Sequence, residues 1–153
     1  PNTYRTASGA PGRDYWQQRA DYDMQIELDD DKQRITGTET VTYHNNSPDE
    51  LGYLWLQLDQ NIFDKNSAAN LTRPGSIEEK QTLGQMEFLA VEQFDGGYKI
   101  KSVKDKAGNP LKYTVNGTMM RVELPRVLRP KEAFSFSVAW SYNIHDHNKF
   151  GRT

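Results

Sequence analysis

The sequence predicts an all-β protein, built as an antiparallel β-sandwich or as a strongly twisted, saddle-like sheet of roughly eight strands. Several stretches alternate between apolar and polar residues, which is the pattern of a strand with one buried face. Clusters of Gly, Pro, Asn and Asp separate these stretches and indicate turns. No amphipathic helix of note interrupts them, and successive strands without helices are typical of sandwiches.

Composition limits the possible functions. The 153 residues include 19 basic and 21 acidic side chains, so no strongly basic surface favours nucleic acid as a partner. The absence of cysteine excludes disulfides, thiolate metal sites and a cysteine nucleophile. No apolar run approaches the length of about 18 residues that a membrane-spanning helix needs.

The chain is predicted to hold one β domain with a short segment on either side. Residues 1–20 mix Gly, Pro, Ser and charges and form a lead-in segment; residues 21–144 form the domain; residues 145–153 begin a link to further sequence. The chain opens with Pro1 rather than Met and has no signal-peptide core. We therefore expect it to be a piece of a longer protein.

The first predicted strand is "YDMQIEL", which alternates strictly and is expected to be half-buried. Its apolar face carries Tyr22, Met24, Ile26 and Leu28. An acidic turn follows at once and joins it to the next strand.

The second predicted strand is "RITGTETVTYHN", with Ile35, Val41 and Tyr43 on one side and threonines on the other, where they suit a solvated face. Gly37 is expected to form a bulge or bend. Without a bulge, Glu39 would share the apolar side, where an unpaired carboxylate is costly. We predict that the bulge turns Glu39 to solvent.

The third predicted strand, "YLWLQL", is apolar on both faces and is interpreted as a central strand covered from two sides. Residues 64–96 then lose the pattern and are predicted to form a long irregular insertion. A connection of this length is either a functional loop or an insertion with a short helix of its own.

The second half of the chain is predicted to be a meander of the strands "YKIKSVK", "LKYTV", "MMRVEL" and "AFSFSVAWSYNI". Asn116-Gly117 is predicted to form a hairpin turn, because both residues tolerate positive φ. Met120, Val122 and Leu124 should point inward, and "PRVLRPKE" should be a loop. The last strand alternates most clearly, and its apolar face comprises Phe134, Phe136, Val138, Trp140 and Tyr142.

Two stretches carry a resemblance to a known family. Residues 15–63 contain Tyr-x-Met-x-Ile-x-Leu, an acidic turn, then Ile-x-Gly and a strand that ends in aromatic-x-Asn. Residues 124–144 contain a leucine, a proline-rich corner and an alternating strand, with Pro130-Lys131-Glu132 where the family usually has Pro-Gly-Glu. In these features the chain resembles the N-terminal domain of the aminopeptidase N family, the gluzincin zinc metallopeptidases. The first stretch is most similar to large secreted bacterial members, which implies a periplasmic or secreted protein.

The resemblance implies a non-catalytic N-terminal β domain of a zinc-dependent aminopeptidase. Such a domain packs on the catalytic domain of the same chain, walls the substrate cleft and meets a peptide substrate only in the full-length protein. The family's zinc site is H-E-x-x-H on a helix with a Glu further along, and this sequence contains no such motif. We therefore assign no catalytic, substrate-binding or metal-binding residue and no cofactor to this chain, and expect zinc in a catalytic domain beyond Thr153. Apolar surface that faces the absent domain should then be bare.

One short motif bears on this interpretation. The stretch "LGQMEFLA" contains Gly84-Gln85-Met86-Glu87-Phe88, one letter from the G-x-M-E-N loop with which the family holds a substrate's amino end. In the family that loop lies in the catalytic domain, shortly before the zinc helix. No zinc helix follows it here, so we predict an ordinary loop that enters a short strand.

His145 and His147 form the only histidine cluster of the sequence. Alternate positions on a strand put both rings on one side, so a two-histidine metal site is geometrically possible. It lacks a nearby third ligand, and we favour a solvated turn. An enzyme built on this pair is a third hypothesis for function.

Aromatic residues support the alternative function, a free-standing β-sandwich binding module, for instance for glycans. Trp140 and Tyr142 are expected in the core, whereas Tyr53 and Trp55 are expected beneath a neighbouring layer or domain. Trp16 is the freest of the set and the best candidate for an interface contact. The set comprises Tyr15, Trp16, Tyr53, Trp55, Trp140 and Tyr142.

Overall fold

The structure, a computed structural model, describes residues 2–72, 83 and 94–144. Within these residues the regular structure is mostly strand, with a 3-10 turn at Asp59–Phe63 and a short helix, α1, at Ala68–Leu71. The strands are β1 (Arg19–Asp29), β2 (Arg34–His44), β3 (Leu51–Gln57), β4 (Lys99–Asp105), β5 (Tyr113–Asn116), β6 (Met119–Leu128) and β7 (Ala133–Asn143).

The strands form two antiparallel sheets, of order β1-β2-β7-β4 and β3-β6-β5. Both sheets contribute buried side chains to one hydrophobic cluster, so the sheets are the two layers of a sandwich. The predicted all-β fold is confirmed, with seven strands in the described part of the chain. The cluster includes Val41, Val103, Phe136, Val138 and Trp140 from the first sheet and Leu54, Met120 and Val122 from the second.

β2 pairs with β1 and with β7 along its whole length without a register shift. The predicted bulge at Gly37 is therefore wrong. Gly37 lies opposite Trp140, and a Cβ at this position would lie 2.7 Å from Cε2 of the indole. The glycine is needed for the close approach of the Trp140 ring, not for a bend.

Because the strand alternates without interruption, Glu39 lies on the same face as Gly37 and Val41, which is the inner face of the sheet. The prediction that a bulge turns Glu39 to solvent is wrong. The carboxylate is half-buried between Met24 on β1 and Val138 on β7.

β3 is an edge strand of its sheet, so the prediction of a central strand is wrong. Its inward residue Leu54 is buried, whereas Tyr53 and Trp55 on the other face are 43% and 53% exposed. Apolar residues on both faces of a strand predict two covers, and within the described residues β3 has one.

β6 continues through a segment that was predicted to be a loop, and ends at Leu128. Pro125 is tolerated because the pairing of β6 with β3 shifts between Leu51↔Leu128 and Tyr53↔Glu123, so the proline falls in the irregular part of the ladder.

The predicted inward positions on β6 are confirmed for Met120 and Val122, both fully buried, and the hairpin before β6 is confirmed as well. Its turn is Gly117-Thr118, and Asn116 is the last residue of β5; Gly117 takes φ 56°.

The buried side chain of Asn45 links the two sheets at one end of the sandwich through hydrogen bonds. Its amide nitrogen donates to the carbonyls of Asp49 (2.8 Å) and Leu128 (3.0 Å). Its amide oxygen accepts from the Ser47 hydroxyl (2.7 Å) and from the Gln18 amide (3.1 Å). These bonds join the end of β2 to the ends of the second sheet's strands, and Asn45 is the asparagine of the aromatic-x-Asn ending.

The flanking segments are described in part. The lead-in contains one isolated bridge between Arg5 and Pro11 before β1 starts. Within the insertion predicted over 64–96, the described part includes α1; most of the rest, and the whole of 145–153, lies outside the described residues. The domain boundaries therefore stay predictions. Across the described ranges, no helix has the length and apolar character needed to cross a membrane.

Candidate docking face

The most unusual surface of the molecule is the apolar side of β1. Tyr22, Met24, Ile26 and Leu28 are 58%, 53%, 58% and 60% exposed. The sequence predicted a half-buried strand with this apolar face turned inward, and in the described structure the face is open. We call these four side chains the β1 stripe.

The β1 stripe belongs to the same face that forms the core. In the register of the first sheet, Ile26 lies opposite Gly37, and Gly37 lies opposite the buried Trp140. Residues opposite each other in a sheet point to the same side. The first sheet has four strands and the second has three, and β1 is the outermost strand of the larger one. The inner face of the first sheet therefore extends past the second sheet at β1.

The opposite side of β1 is polar and makes ion pairs. Asp21 accepts from the Arg19 guanidinium at 2.8 Å and lies 2.9 Å from Nε2 of His44, while Lys32 lies 2.6 Å from Asp29. The hydrogen bond from Arg19 is the main cause that lowers the pKa of Asp21. β1 is thus strongly two-sided, with charge on its outer face and bare hydrocarbon on its inner face.

Glu39 lies at the inner border of the β1 stripe, next to Met24. Within residues 2–72 and 94–144 its carboxylate has neither a hydrogen-bond donor nor a basic side chain in ion-pair distance. Burial raises the pKa of Glu39. Glu39 interacts electrostatically with Tyr98, which packs against Trp140 and Tyr142; the pKa of Tyr98 is raised by burial first, then by Tyr142 and Glu39.

A second exposed apolar surface lies on the outer face of β3. The ring centroids of Tyr53 and Trp55 are 6.2 Å apart with the planes at 83°. The guanidinium of Arg121 lies 3.9 Å above the Tyr53 ring, and its Nε lies 2.9 Å from the Glu123 carboxylate. The sequence reasoning did not single out Arg121, although its position between the inward Met120 and Val122 indicates an outward side chain.

Trp16, which was expected at an interface, is 37% exposed and lines a shallow cavity of about 450 Å³ near the lead-in. Within this cavity, the Arg5 guanidinium lies 5.5 Å from the centre of the Tyr15 ring. The lining residues are Tyr4, Arg5, Tyr15, Trp16, Pro48 and Asp49.

The other sequence candidates have separate outcomes. Trp140 is in the core as predicted, 8% exposed and stacked on Tyr142 with 5.8 Å between centroids. The motif at 84–88 and the histidines His145 and His147 lie outside the described residues. In the part of the chain that the structure describes, no three His, Asp or Glu side chains are grouped so that they could hold a metal ion.

Comparison with known proteins gives matches among solved structures alone. No family model and no curated protein matches the chain. The chain is similar to the M1 zinc metallopeptidase from Deinococcus radiodurans, and to a mutant of that enzyme bound to a Tyr-Ser-Ala substrate. In both cases the TM-score is 0.49 and the identity 15%, over 82% of this chain and 21% of the other. A two-domain M1 zinc metallopeptidase mutant bound to L-tryptophan gives the same values. The chain spans about a fifth of the length of these structures.

Proposed function

We propose that this chain is the non-catalytic N-terminal β domain of a zinc-dependent, aminopeptidase N-like metallopeptidase. In this role it packs on the catalytic domain of the same polypeptide, walls one side of the substrate cleft and helps to close off the amino end of the peptide. The parent protein is periplasmic or secreted.

The observation that carries the proposal is the open β1 stripe. Full burial of an apolar side chain is worth about 1.5–3 kcal/mol relative to exposure. The four side chains of the stripe are each more than half exposed, so in the isolated chain most of this stabilisation is absent. A contiguous bare face on the core side of a sheet is typical of a surface that another protein surface covers.

The sequence resemblance supports the identity of that neighbour. The residues that carry it fall on β1, β2 and β3 in the first stretch and on β6 and β7 in the second, which together form most of both sheets. The aromatic-x-Asn ending falls on Asn45, whose amide fastens the sandwich. The resemblance therefore lies in residues with structural tasks, as expected for a supporting domain.

The chemistry belongs to the catalytic domain in this proposal. Zinc bound there polarises the scissile carbonyl and activates water, with a Glu as general base. The residues of this chain supply position: a rigid wall, the exclusion of water from one side of the cleft, and the docking contact through the β1 stripe.

The proposal is tested with the gene and with the purified chain. The downstream reading frame should encode H-E-x-x-H, and the 153-residue chain should unfold in one cooperative transition. It should not hydrolyse aminoacyl-nitroanilides, with or without added zinc. Turnover by the purified chain that survives repurification, or a downstream sequence without the motif, contradicts the proposal.

The glycan-binding module is the alternative, and one specific observation favours it: Trp55 is 53% exposed on the outer face of β3 rather than covered. Aromatic rings stack on sugars, but the perpendicular rings of Tyr53 and Trp55 do not form one flat platform. A glycan array should show binding that Trp16→Ala or Trp55→Ala abolishes if this function is correct. Absence of binding in the unsubstituted chain leaves the peptidase domain as the explanation.

A further inference from the structure

We propose that the β1 stripe and Glu39 together form a docking surface for a protein face that presents one basic side chain, Lys or Arg, surrounded by apolar residues. This inference rests on the proposed function, because the catalytic domain of the same polypeptide is the partner. It adds the chemistry of the contact.

The first step is the position of Glu39. The residue lies between Met24 and Val138, so its carboxylate marks the line where the covered core ends and the open stripe begins. Any surface that covers the stripe also reaches Glu39. Docking would then remove water from a carboxylate that is already half-buried.

The second step is the missing counter-charge. Unlike Asp21 and Asp29 on the outer side of β1, Glu39 has no basic partner in the described residues, and burial already raises its pKa. Covering an ionised carboxylate without a partner is strongly unfavourable, whereas a basic side chain with good geometry offsets the cost. A basic side chain on the complementary surface would keep Glu39 ionised at this point, whereas without one the carboxyl would take up a proton.

The third step argues against a symmetric dimer of this chain joined through the stripe. The stripe itself contains no basic residue. Two copies joined through their stripes by a two-fold axis would bring the same patch against itself, with two Glu39 carboxylates and no cation between them. Like charges placed together in an interface cost several kcal/mol. The charge pattern thus favours a different surface.

Two proteins are needed for the test: the 153-residue chain and the full-length protein that its gene encodes. In the isolated chain, Glu39→Gln should raise the melting temperature at pH 7, because a half-buried charge is removed. In the full-length protein the same substitution should lower the melting temperature of the transition that reports this domain, because the basic partner loses its counter-charge. Glu27→Gln on the outer face of β1 is the matched control and should have little effect in either protein.

A second measurement reports docking independently of Glu39. The chain has no cysteine, so Ile26→Cys places a single thiol in the stripe, and Gln25→Cys places one on the outer face as a control. Mass spectrometry of the labelled peptide then gives the modification rate. At position 26 the rate should be about tenfold lower in the full-length protein than in the isolated chain, since a docked face reacts only while it is open. At position 25 the two rates should be similar.

The outcomes separate the two proposals. Equal reactivity of the thiol at position 26 in both proteins, or a gene without a downstream domain, overturns the docking surface and the proposed function together. Protection of this thiol, combined with an effect of Glu39→Gln that has the same sign in both proteins, leaves the proposed function standing and overturns the pairing of Glu39 with a basic side chain. Protection of the thiol at position 26, combined with effects of Glu39→Gln on the melting temperature that have opposite signs in the two proteins, supports both proposals.

Discussion

At the scale of single residues, the position of Glu39 follows from the alternation of the strand, and the bulge that was assumed at Gly37 predicted it wrongly. Alternation alone places Glu39 on the apolar face, and the structure keeps it there. The predicted bulge was introduced because a glycine lies two residues before it. The glycine has a different purpose, which sequence reasoning missed because the indole that needs the space lies more than 100 residues away in the chain.

Glu39 should make the isolated chain less stable as the pH rises. Its folded-state pKa is raised, so the folded state favours the protonated acid. This advantage is complete below the unfolded pKa and is lost as the pH rises through the folded pKa. Met24 and Val138 on the flanking strands carry no charge, and Tyr98 stays neutral over this range. Urea midpoints of the unsubstituted chain and of Glu39→Gln should differ at pH 7 and converge near the unfolded pKa. A difference that is constant with pH contradicts this account.

Gly37→Ala should destabilise the chain by about 1–3 kcal/mol, because the added Cβ would force the Trp140 ring or the backbone to move. Gly52→Ala on the edge strand β3 is the control, since a Cβ there meets no atom within 4 Å. Equilibrium unfolding in urea measures both. Equal effects at the two sites would show that the indole contact has no special cost.

At the scale of elements, alternation predicted β1, β2, β4, β6 and β7, because each has one face toward the core and a period of two. It did not predict the surroundings of β3, whose two apolar faces look alike in sequence although the structure covers one. It also ended β6 too early at Pro125, because the ladder irregularity that tolerates a proline depends on the partner strand.

The end of β2 should be the most sensitive polar point of the fold. Asn45→Ala removes a buried side chain that donates two hydrogen bonds and accepts three. The Leu128 carbonyl loses this donor, and the Asp49 carbonyl keeps only the Ser47 hydroxyl at 3.2 Å. We expect a loss of about 3 kcal/mol or more, since each buried group left unsatisfied costs about 1–3 kcal/mol. Asn46→Ala, which loses one exposed side-chain bond to the Gln17 carbonyl, should cost about 1 kcal/mol or less. Urea unfolding of the two variants side by side provides the comparison, and similar losses would contradict the structural role of Asn45.

At the scale of the whole molecule, the sheets are unequal, and this inequality creates the β1 stripe. Sequence reasoning expected bare apolar surface on a fragment but not its location, because the number of strands in the covering sheet cannot be read from the pattern of β1 itself. The histidine pair and the motif at 84–88 lie outside the described residues, and the predictions made for them stand as predictions.

The open stripe should accept a polar residue without loss of stability. Ile26→Thr should change the free energy of unfolding of the isolated chain by less than about 0.5 kcal/mol, as is usual at a surface position, and should lower the fluorescence of a bound apolar dye. Val41→Thr is the buried counterpart, 3% exposed, and should cost about 1–3 kcal/mol because its hydroxyl enters the core. A large loss for Ile26→Thr would mean that the stripe is covered within the isolated chain.

The charged outer face of β1 has a consequence for the solubility of the protein. β1 ends its sheet, and a strand in that place offers its backbone as a template on which further molecules can assemble into fibres. Asp21, Asp23, Glu27 and Asp29 surround this template with negative charge at neutral pH and keep identical strands apart. Removal of these charges by Asp21→Asn, Asp23→Asn and Asp29→Asn together should therefore lead to thioflavin-positive fibrils at neutral pH, whereas the unsubstituted chain should stay clear.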